Sequence, residues 1–252
     1  MKNIRMEEMN WLDIGEAVQK GFTTVVIGIG STEQHGPHLP THTDTIIADF
    51  LANRIALKLG NALQAQTIRI GCSDHHLSFP GTISLKNETL KAIIYDYVRS
   101  LSKHSFKTII FIPTHGGNFK PTEEAIEESQ SKYPELKIIG YTDAWEFVRI
   151  EWQIATEFGI NNEDAGAHAG EVETSQILAI AKNQVRKERF KSGYVGPLGE
   201  DTSKIVFEKG ISALSEIGVI GDPTHANIKR GRIYLEKLID SLVEDIKELL
   251  LE

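Results

Sequence analysis

Histidine and carboxylate side chains concentrate in one short segment of the chain, residues 30–44. Glu33 and His35 are two residues apart, so an extended backbone would point both side chains the same way. Asp44 follows nine residues after His35, beyond two prolines that stiffen the loop. Carboxylate oxygens and imidazole nitrogens together suit a borderline divalent metal such as zinc, manganese or iron. The segment therefore predicts a metal site; the alternative is a polar surface loop with incidental histidines.

Three other polar segments, 71–81, 114–119 and 164–171, carry further groups of this kind. Together with residues 30–44 they hold seven of the nine histidines of the chain. His115 precedes two glycines, which let a ligand approach the backbone closely, although a tight turn with a chance histidine would look the same.

His168 and Glu171 are three residues apart at a predicted helix start. At that spacing both side chains could face one cavity. Either residue could instead be exposed, because glutamate is common in the first turn of a helix for electrostatic reasons.

Hydrophobic patterns predict the elements that would bring these segments together. Apolar runs at 25–29 and 107–112 are typical of strands buried on both faces, and 65–71 and 136–141 predict two more, with a possible fifth at 205–207. Helices are predicted over 11–20, 45–60, 87–104, 122–132, 171–181 and 232–251. This alternation predicts an α/β fold: a single-domain, three-layer α/β/α architecture with a mainly parallel sheet. Loops that follow parallel strands share one edge of the sheet, where ligands bind.

Composition limits the classes of protein to consider. The chain has 252 residues, 40% hydrophobic and 25% charged, which is ordinary for one domain spanning residues 1–252. A net charge of −8 argues against nucleic-acid or anionic-membrane partners. Cys72 is the only cysteine, which excludes an intramolecular disulfide and fits a reducing compartment. With no apolar signal core and no run of membrane-spanning length, we expect a cytoplasmic protein.

Residues 30–44 closely resemble the signature of the creatininase (creatinine amidohydrolase) family. The likeness continues in chain order through 73–85, 115–118, 168–175 and 218–223. It implies a two-metal centre, with Asp44 bridging the ions, Glu33 and His115 on one ion and His35 on the other.

The chain departs from this family pattern directly after His115. Creatinine-hydrolysing members resemble one another in having Tyr and a ligand Glu at the positions of Gly116 and Gly117. We expect Glu171 to supply the missing carboxylate and complete the second metal site. The departure makes creatinine itself a less secure substrate.

The expected chemistry is metal-assisted hydrolysis. Two divalent ions per chain, zinc first with manganese or iron as alternatives, would activate a water and polarise a carbonyl group. His168 is expected to carry a proton to the leaving nitrogen, and the resemblance also gives it a catalytic role. Ser73, Trp145 and the amides of Gly116 and Gly117 are the expected substrate contacts, although Trp145 could equally be a core aromatic residue.

The expected function is hydrolysis of a C–N amide bond in a small, creatinine-like cyclic amide. The resemblance also implies other substrates, because the family includes a formamido-pyrimidine nucleotide deformylase, a keto-inositol hydrolase and a peptide-trimming hydrolase. A non-catalytic, metal-dependent binding protein is a further alternative, but such a site needs no proton carrier like His168. By resemblance, the chain is also expected to form a homo-oligomer, a hexamer.

Overall fold

The computed structural model describes residues 3–251 and contains one four-stranded sheet. Its strands are β1 (Thr24–Ile29), β2 (Ala62–Gln64), β3 (Thr108–Pro113) and β4 (Lys137–Gly140). All neighbours pair in parallel, in the order β2-β1-β3-β4. Every residue of β1 is buried, as its continuous apolar run predicts.

Nine α-helices accompany the sheet within residues 3–251. They are α1 (Trp11–Gln19), α2 (Thr43–Leu59), α3 (Asn87–Leu101), α4 (Phe119–Lys132), α5 (Ala144–Thr156), α6 (Asn162–Ala165), α7 (Glu171–Ile180), α8 (Glu200–Lys209) and α9 (Ile228–Leu251). Among the described helices, none is both long and apolar enough to cross a membrane.

The helices form layers on both faces of the sheet. The connection from β1 to β2 runs one way across the sheet and those to β3 and β4 run the other way. Right-handed crossovers therefore place α2 on one face and α3 with α4 on the opposite face. Helices α7 and α9 pack against each other and against α2. The predicted α/β fold with a parallel sheet is confirmed.

The order of the strands also determines where a site can form. Chain direction across the sheet reverses between β1 and β3, so the segments after these two strands diverge and leave a crevice at their carboxyl ends. Residues 30–42 follow β1, and His115 follows β3. The predicted metal-binding segments therefore meet at this crevice.

Two local predictions are wrong, and one long helix was not predicted. Strand β2 ends at Gln64, and the predicted strand 65–71 keeps only isolated backbone hydrogen bonds to β1, at Ala65 and Ile68. The side chains of Gln64 and Thr67 donate to Asp49 of α2. Residues 205–207 belong to helix α8 rather than to a strand. Helix α5 was not predicted, although Asp143 caps it by accepting the N–H of Glu146 at 2.8 Å.

Close contact between α7 and α9 gives a stability prediction. A Cβ atom at Gly231 of α9 would lie 1.8 Å from the carbonyl oxygen of Ser175 in α7. We expect Gly231→Ala to lower the free energy of unfolding by about 1–3 kcal/mol, because the helices must move apart. Urea unfolding measures this change.

The matched control is Gly15→Ala in α1, where an added Cβ meets nothing within 4 Å. We expect it to be neutral, or to stabilise by up to about 1 kcal/mol. Equal stability of the two variants would contradict the close packing of α7 on α9.

Candidate metal centre

Glu33 lies at the centre of the site, fully buried among histidines. Its Oε2 atom is 3.2 Å from His115 Nε2, and its Oε1 atom is 3.3 Å from His76 Nε2 and 3.7 Å from His168 Nδ1. The Ser31 hydroxyl donates to Oε2 at 3.2 Å. Among the described residues, Oε1 has no hydrogen-bond partner. One oxygen of a buried carboxylate is thus left without a donor.

Asp44 lies in the first turn of α2 and faces two different histidines. Its Oδ1 atom is 3.2 Å from His35 Nε2, and its Oδ2 atom is 3.7 Å from His115 Nδ1. Within residues 3–251, Oδ2 is also buried without a hydrogen-bond partner. The amino-terminal end of α2 favours a negative charge at this position. Asp44 therefore connects the two sides of the cluster.

Glu173 is the third carboxylate of the cluster and was not among the predicted ligands. Its Oε1 atom is 3.4 Å from His35 Nε2, and its Oε2 atom accepts the backbone N–H of Ala169 at 2.6 Å. A signal for it existed, because Glu173 falls within residues 168–175, one of the segments that resemble the family.

Glu171 does not occupy the predicted metal position. Both of its oxygens are used elsewhere: Oε1 accepts from Arg230 at 2.7 and 3.0 Å and from the Ser175 hydroxyl at 2.8 Å, and Oε2 accepts from the Tyr234 hydroxyl at 2.8 Å. Helix α7 begins only at Glu171, after the chain turns at Ala169 with φ +52°. A three-residue spacing from His168 therefore does not put the two side chains on one helix face.

Three overlapping triplets of donor atoms each lie within 4.8 Å of one another. They are Glu33 with His76 and His168, His35 with His168 and Glu173, and Glu33 with His35 and Asp44. A divalent cation would give Glu33 Oε1 and Asp44 Oδ2, which are buried without hydrogen-bond partners, a favourable interaction. The mixed oxygen and nitrogen donors also suit zinc or manganese. The residues present therefore fit a metal centre.

The charges of the cluster are strongly coupled. Burial raises the pKa of Glu33, but His115 and His76 outweigh it and hold that pKa well below its usual range. Burial raises the pKa of Asp44 to about 6, with His35 opposing and Glu33 adding to the shift. For His115, burial lowers the pKa, but the Glu33 carboxylate outweighs it and raises the value to about 9. The pKa values of Glu33, Asp44 and His115 therefore depend on one another and on their burial.

The Gln34 side chain orients two of the histidines. Its Nε2 atom lies 2.9 Å from His76 Nδ1, 3.1 Å from the Gly218 carbonyl oxygen and 3.0 Å from His168 Nε2. An amide group has two N–H donors, which the first two acceptors use. His168 Nε2 instead donates to the backbone carbonyl oxygen of Gln34 at 2.8 Å. This tautomer leaves His168 Nδ1 unprotonated and facing Glu33.

Asn118 ties together the loops that carry the site. Its Oδ1 atom accepts the N–H of Cys72 at 2.9 Å, and its Nδ2 atom donates to the Gly30 carbonyl at 3.0 Å. These bonds link the segments after β1, β2 and β3. The residue was not predicted, although it belongs to the segment 115–118.

The predicted substrate contacts separate into two groups. Gly116 and Trp145 line an open cavity of about 180 Å³ beside the histidines. Ser73 is fully buried and its hydroxyl is hydrogen-bonded to that of Ser31, so it supports the loops instead of facing the cavity. Gly117 is pressed against Cys72, whose carbonyl oxygen would lie 2.0 Å from an added Cβ. Of these four residues, Gly116 and Trp145 border the cavity.

A second, more polar cavity of about 110 Å³ adjoins the cluster between α5 and α7. Glu151, Glu173 and Gln176 lie along it, and Gln176 donates to Glu151 at 2.7 Å. Burial raises the pKa of Glu151 to about 8, partly opposed by Gln176 and increased further by the Glu173 charge.

Comparisons with known proteins identify relatives of this chain. A family model described as creatinine amidohydrolase matches residues 7–246. The mycofactocin precursor peptide peptidase of Mycolicibacterium smegmatis is 32% identical over 228 residues, covering 88% of this chain and 84% of that protein. The creatinine amidohydrolase of Pseudomonas putida is 24% identical over 262 residues, covering 98% and 97%. A solved creatininase described as of Zn–Zn type is 22% identical with a TM-score of 0.80 over 98% of each chain, so the folds are the same.

Two glutamates of α7 are expected to differ in their effect on metal binding. Glu173→Gln removes a carboxylate from the cluster, so we expect metal affinity to fall at least about tenfold. Glu171→Gln should retain the metal but lower the free energy of unfolding by about 3 kcal/mol, because Arg230 loses its buried partner. Metal titration and elemental analysis of both purified variants measure the difference. Loss of metal from Glu171→Gln alone would reverse the assignment.

Glu151 gives a pH-dependent prediction. Its folded-state pKa of about 8 lies above the ordinary glutamate pKa of 4.5, so the folded protein binds more protons than the unfolded chain between these values. Stability should therefore fall as pH rises from about 5 to 8, by up to about 1.4 kcal/mol per pH unit from this residue. We expect Glu151→Gln to exceed the wild type in stability at pH 8 but not at pH 5. A stability difference that is the same at both pH values in urea unfolding would contradict this.

Proposed function

The chain belongs to the creatininase family of hydrolases, and on that premise we propose that it hydrolyses an amide C–N bond with two divalent metal ions. The observation that carries the proposal is the pair of buried carboxylate oxygens, Glu33 Oε1 and Asp44 Oδ2, without hydrogen-bond partners in the described part of the chain. We expect zinc first, with manganese or iron as alternatives, because all accept mixed oxygen and nitrogen ligands.

The side-chain contacts suggest how the ligands divide between two ions. Asp44 is the proposed bridge, because its two oxygens face different histidines, His35 and His115. Glu33 joins His115 on one ion, and Glu173 joins His35 on the other. Glu173 thereby takes the place proposed for Glu171 from the sequence.

His76 is a positioning residue in this proposal. Its Nδ1 atom accepts from Gln34, so the neutral ring carries its proton on Nε2, which lies 3.3 Å from Glu33 Oε1 without forming a hydrogen bond to it. Burial lowers the pKa of His76, with the Glu33 charge opposing this shift. The neutral ring packs beside the carboxylate and leaves Oε1 open to a metal ion.

Divalent ions in such a cluster lower the pKa of a coordinated water and polarise a substrate carbonyl. The chain itself supplies the proton transfer. Burial lowers the pKa of His168 to about 3, with the neighbouring His35 adding to the shift, so the ring is neutral near pH 7. His168 Nδ1 can therefore accept a proton and release it to the leaving nitrogen. Gly116 and Trp145 border the cavity in which the substrate would lie.

The relatives suggest an order of candidate substrates. Identity to the mycofactocin precursor peptide peptidase is 32%, against 24% to the creatinine amidohydrolase. The chain also has Gly116 and Gly117 where creatinine-hydrolysing members resemble one another in having Tyr and Glu. We therefore place a peptide-type amide before creatinine. A non-catalytic binding protein is disfavoured, because binding alone does not need a neutral histidine beside the ligands.

We also propose that residues 1–252 act as one hydrolase domain, since one main hydrophobic core extends from Ile4 to Ile246. The homo-oligomer, a hexamer by resemblance, stays a prediction. Light scattering of the purified protein tests it.

Turnover by metal-loaded protein, with a chelated sample as control, tests the function directly. We expect metal-dependent hydrolysis of a short peptide amide, of creatinine, or of both. His168→Gln should reduce kcat by about 10²–10⁴-fold while keeping the wild-type metal content. Unchanged turnover in this variant would remove His168 from the mechanism. Absence of hydrolysis in a fully metal-loaded wild type, across both substrate classes, would overturn the proposed function.

A further inference from the structure

The cavity of about 180 Å³ beside the histidines has two chemically different ends. His75, His76, His115 and His168 line one end, and the remaining wall is almost entirely apolar. We call the part of the cavity enclosed by this wall the apolar chamber. Its main side chains are Trp145, Val148, Leu198, Val206, Phe207 and Leu214. A substrate that reaches the cluster must therefore lie against a hydrophobic surface.

The apolar chamber offers little to a charged or hydroxyl-rich substrate. Among the described residues that line it, Thr202 and Ser203 carry the only hydroxyl groups, and none is lysine or arginine. The described lining of the polar cavity also contains no lysine or arginine and instead carries Glu151 and Glu173. A phosphate or polyol placed here would lose hydration without adequate partners. The site therefore disfavours phosphorylated and polyol substrates.

Phe207 gives the chamber an aromatic rim. Its ring centroid lies 4.5 Å from that of His75, and the residue is 52% exposed. An apolar group bound against Phe207 and Trp145 would cover aromatic surface now open to water. Covering apolar surface of this kind stabilises a complex.

The volume sets the size of the group that fits. An apolar cavity of about 150 Å³ is enough to hold benzene. The two cavities meet at Gly116, Ala144, Val148, Ala167 and His168. A bond cleaved near His168 therefore has an apolar space on one side and a more polar space on the other.

We propose that the apolar chamber binds a bulky apolar side chain next to the scissile amide, so that the substrate is a peptide-type amide with an aromatic or branched aliphatic residue. This inference rests on the proposed function. It makes the chamber a determinant of specificity, with Val148, Phe207 and Trp145 in contact with the side chain.

Paired dipeptides test the inference. Gly-X and X-Gly, with X as Ala, Asp, Leu or Phe, place the side chain on either side of the cleaved bond. With metal-loaded protein, we expect kcat/KM for Leu or Phe to exceed that for Ala by at least about tenfold in one of the two series. Asp should be the poorest substrate, because its charge would face apolar walls.

Two variants locate the preference. Val148→Trp fills the apolar chamber and should abolish the preference for Leu or Phe over Ala. Phe207→Ala changes a half-exposed side chain, so the fold should tolerate it, and the preference should fall severalfold. The control Leu57→Ala removes a residue that is 48% exposed on α2, and it should leave the preference unchanged. A preference that survives both chamber variants would overturn the inference, as would equal kcat/KM for all side chains.

Binding measurements separate this inference from the proposed function. Hydroxamates of alanine and phenylalanine bind metal without being cleaved as amides, so their Kd values do not depend on turnover. We expect the phenylalanine hydroxamate to bind at least about tenfold more tightly than the alanine hydroxamate, and to lose this advantage in Val148→Trp. This result would support the chamber even where no dipeptide is hydrolysed. Hydrolysis with no side-chain preference and equal Kd values would contradict the chamber alone.

Discussion

A buried carboxylate cannot stay ionised without compensation, and Glu33 is the carboxylate on which this structure depends. Its side chain is fully buried among three histidines, yet one oxygen has no hydrogen-bond donor among residues 3–251. Asp44, on the first turn of α2, likewise has a buried oxygen, Oδ2, without a hydrogen-bond partner among the described residues. The described protein groups therefore leave two oxygens without hydrogen bonds, and a divalent cation would satisfy both. The arrangement of the surrounding loops follows from this requirement.

The parallel sheet makes that arrangement possible. Strands β1 and β3 are adjacent, and the reversal of chain direction between them opens the crevice where Glu33 and His115 meet. Asn118 holds the neighbouring loops in register through two hydrogen bonds. Tight backbone contacts add to this precision, because Gly30 lies so close to Thr45 that a Cβ would come within 2.4 Å of its Cα. A rigid support of this kind keeps ligands in place before any metal arrives.

Most of the fold, and several residues of the candidate site, could be predicted from the sequence. Buried strands such as β1 are continuous apolar runs, so their hydrophobic pattern identifies them. The density of His, Asp and Glu in residues 30–44 identifies Glu33 as a ligand candidate. The spacing of Glu171 from His168 was treated as helical, whereas the chain turns at Ala169 before α7 begins, and Glu171 instead binds Arg230 and Tyr234. Helix α8 was mistaken for a strand at 205–207, since a short apolar run fits either structure. The apolar chamber could not be predicted, because its walls come from segments whose packing only the tertiary structure defines.

One measurement tests the central claim most directly: a crystal structure of the purified protein with anomalous diffraction data collected on both sides of the zinc absorption edge. The account predicts two anomalous peaks per chain, both in contact with Asp44, with Glu33 and His115 at one peak and His35 and Glu173 at the other. Peaks at Glu171, or none near Asp44 in protein supplied with zinc, would contradict it.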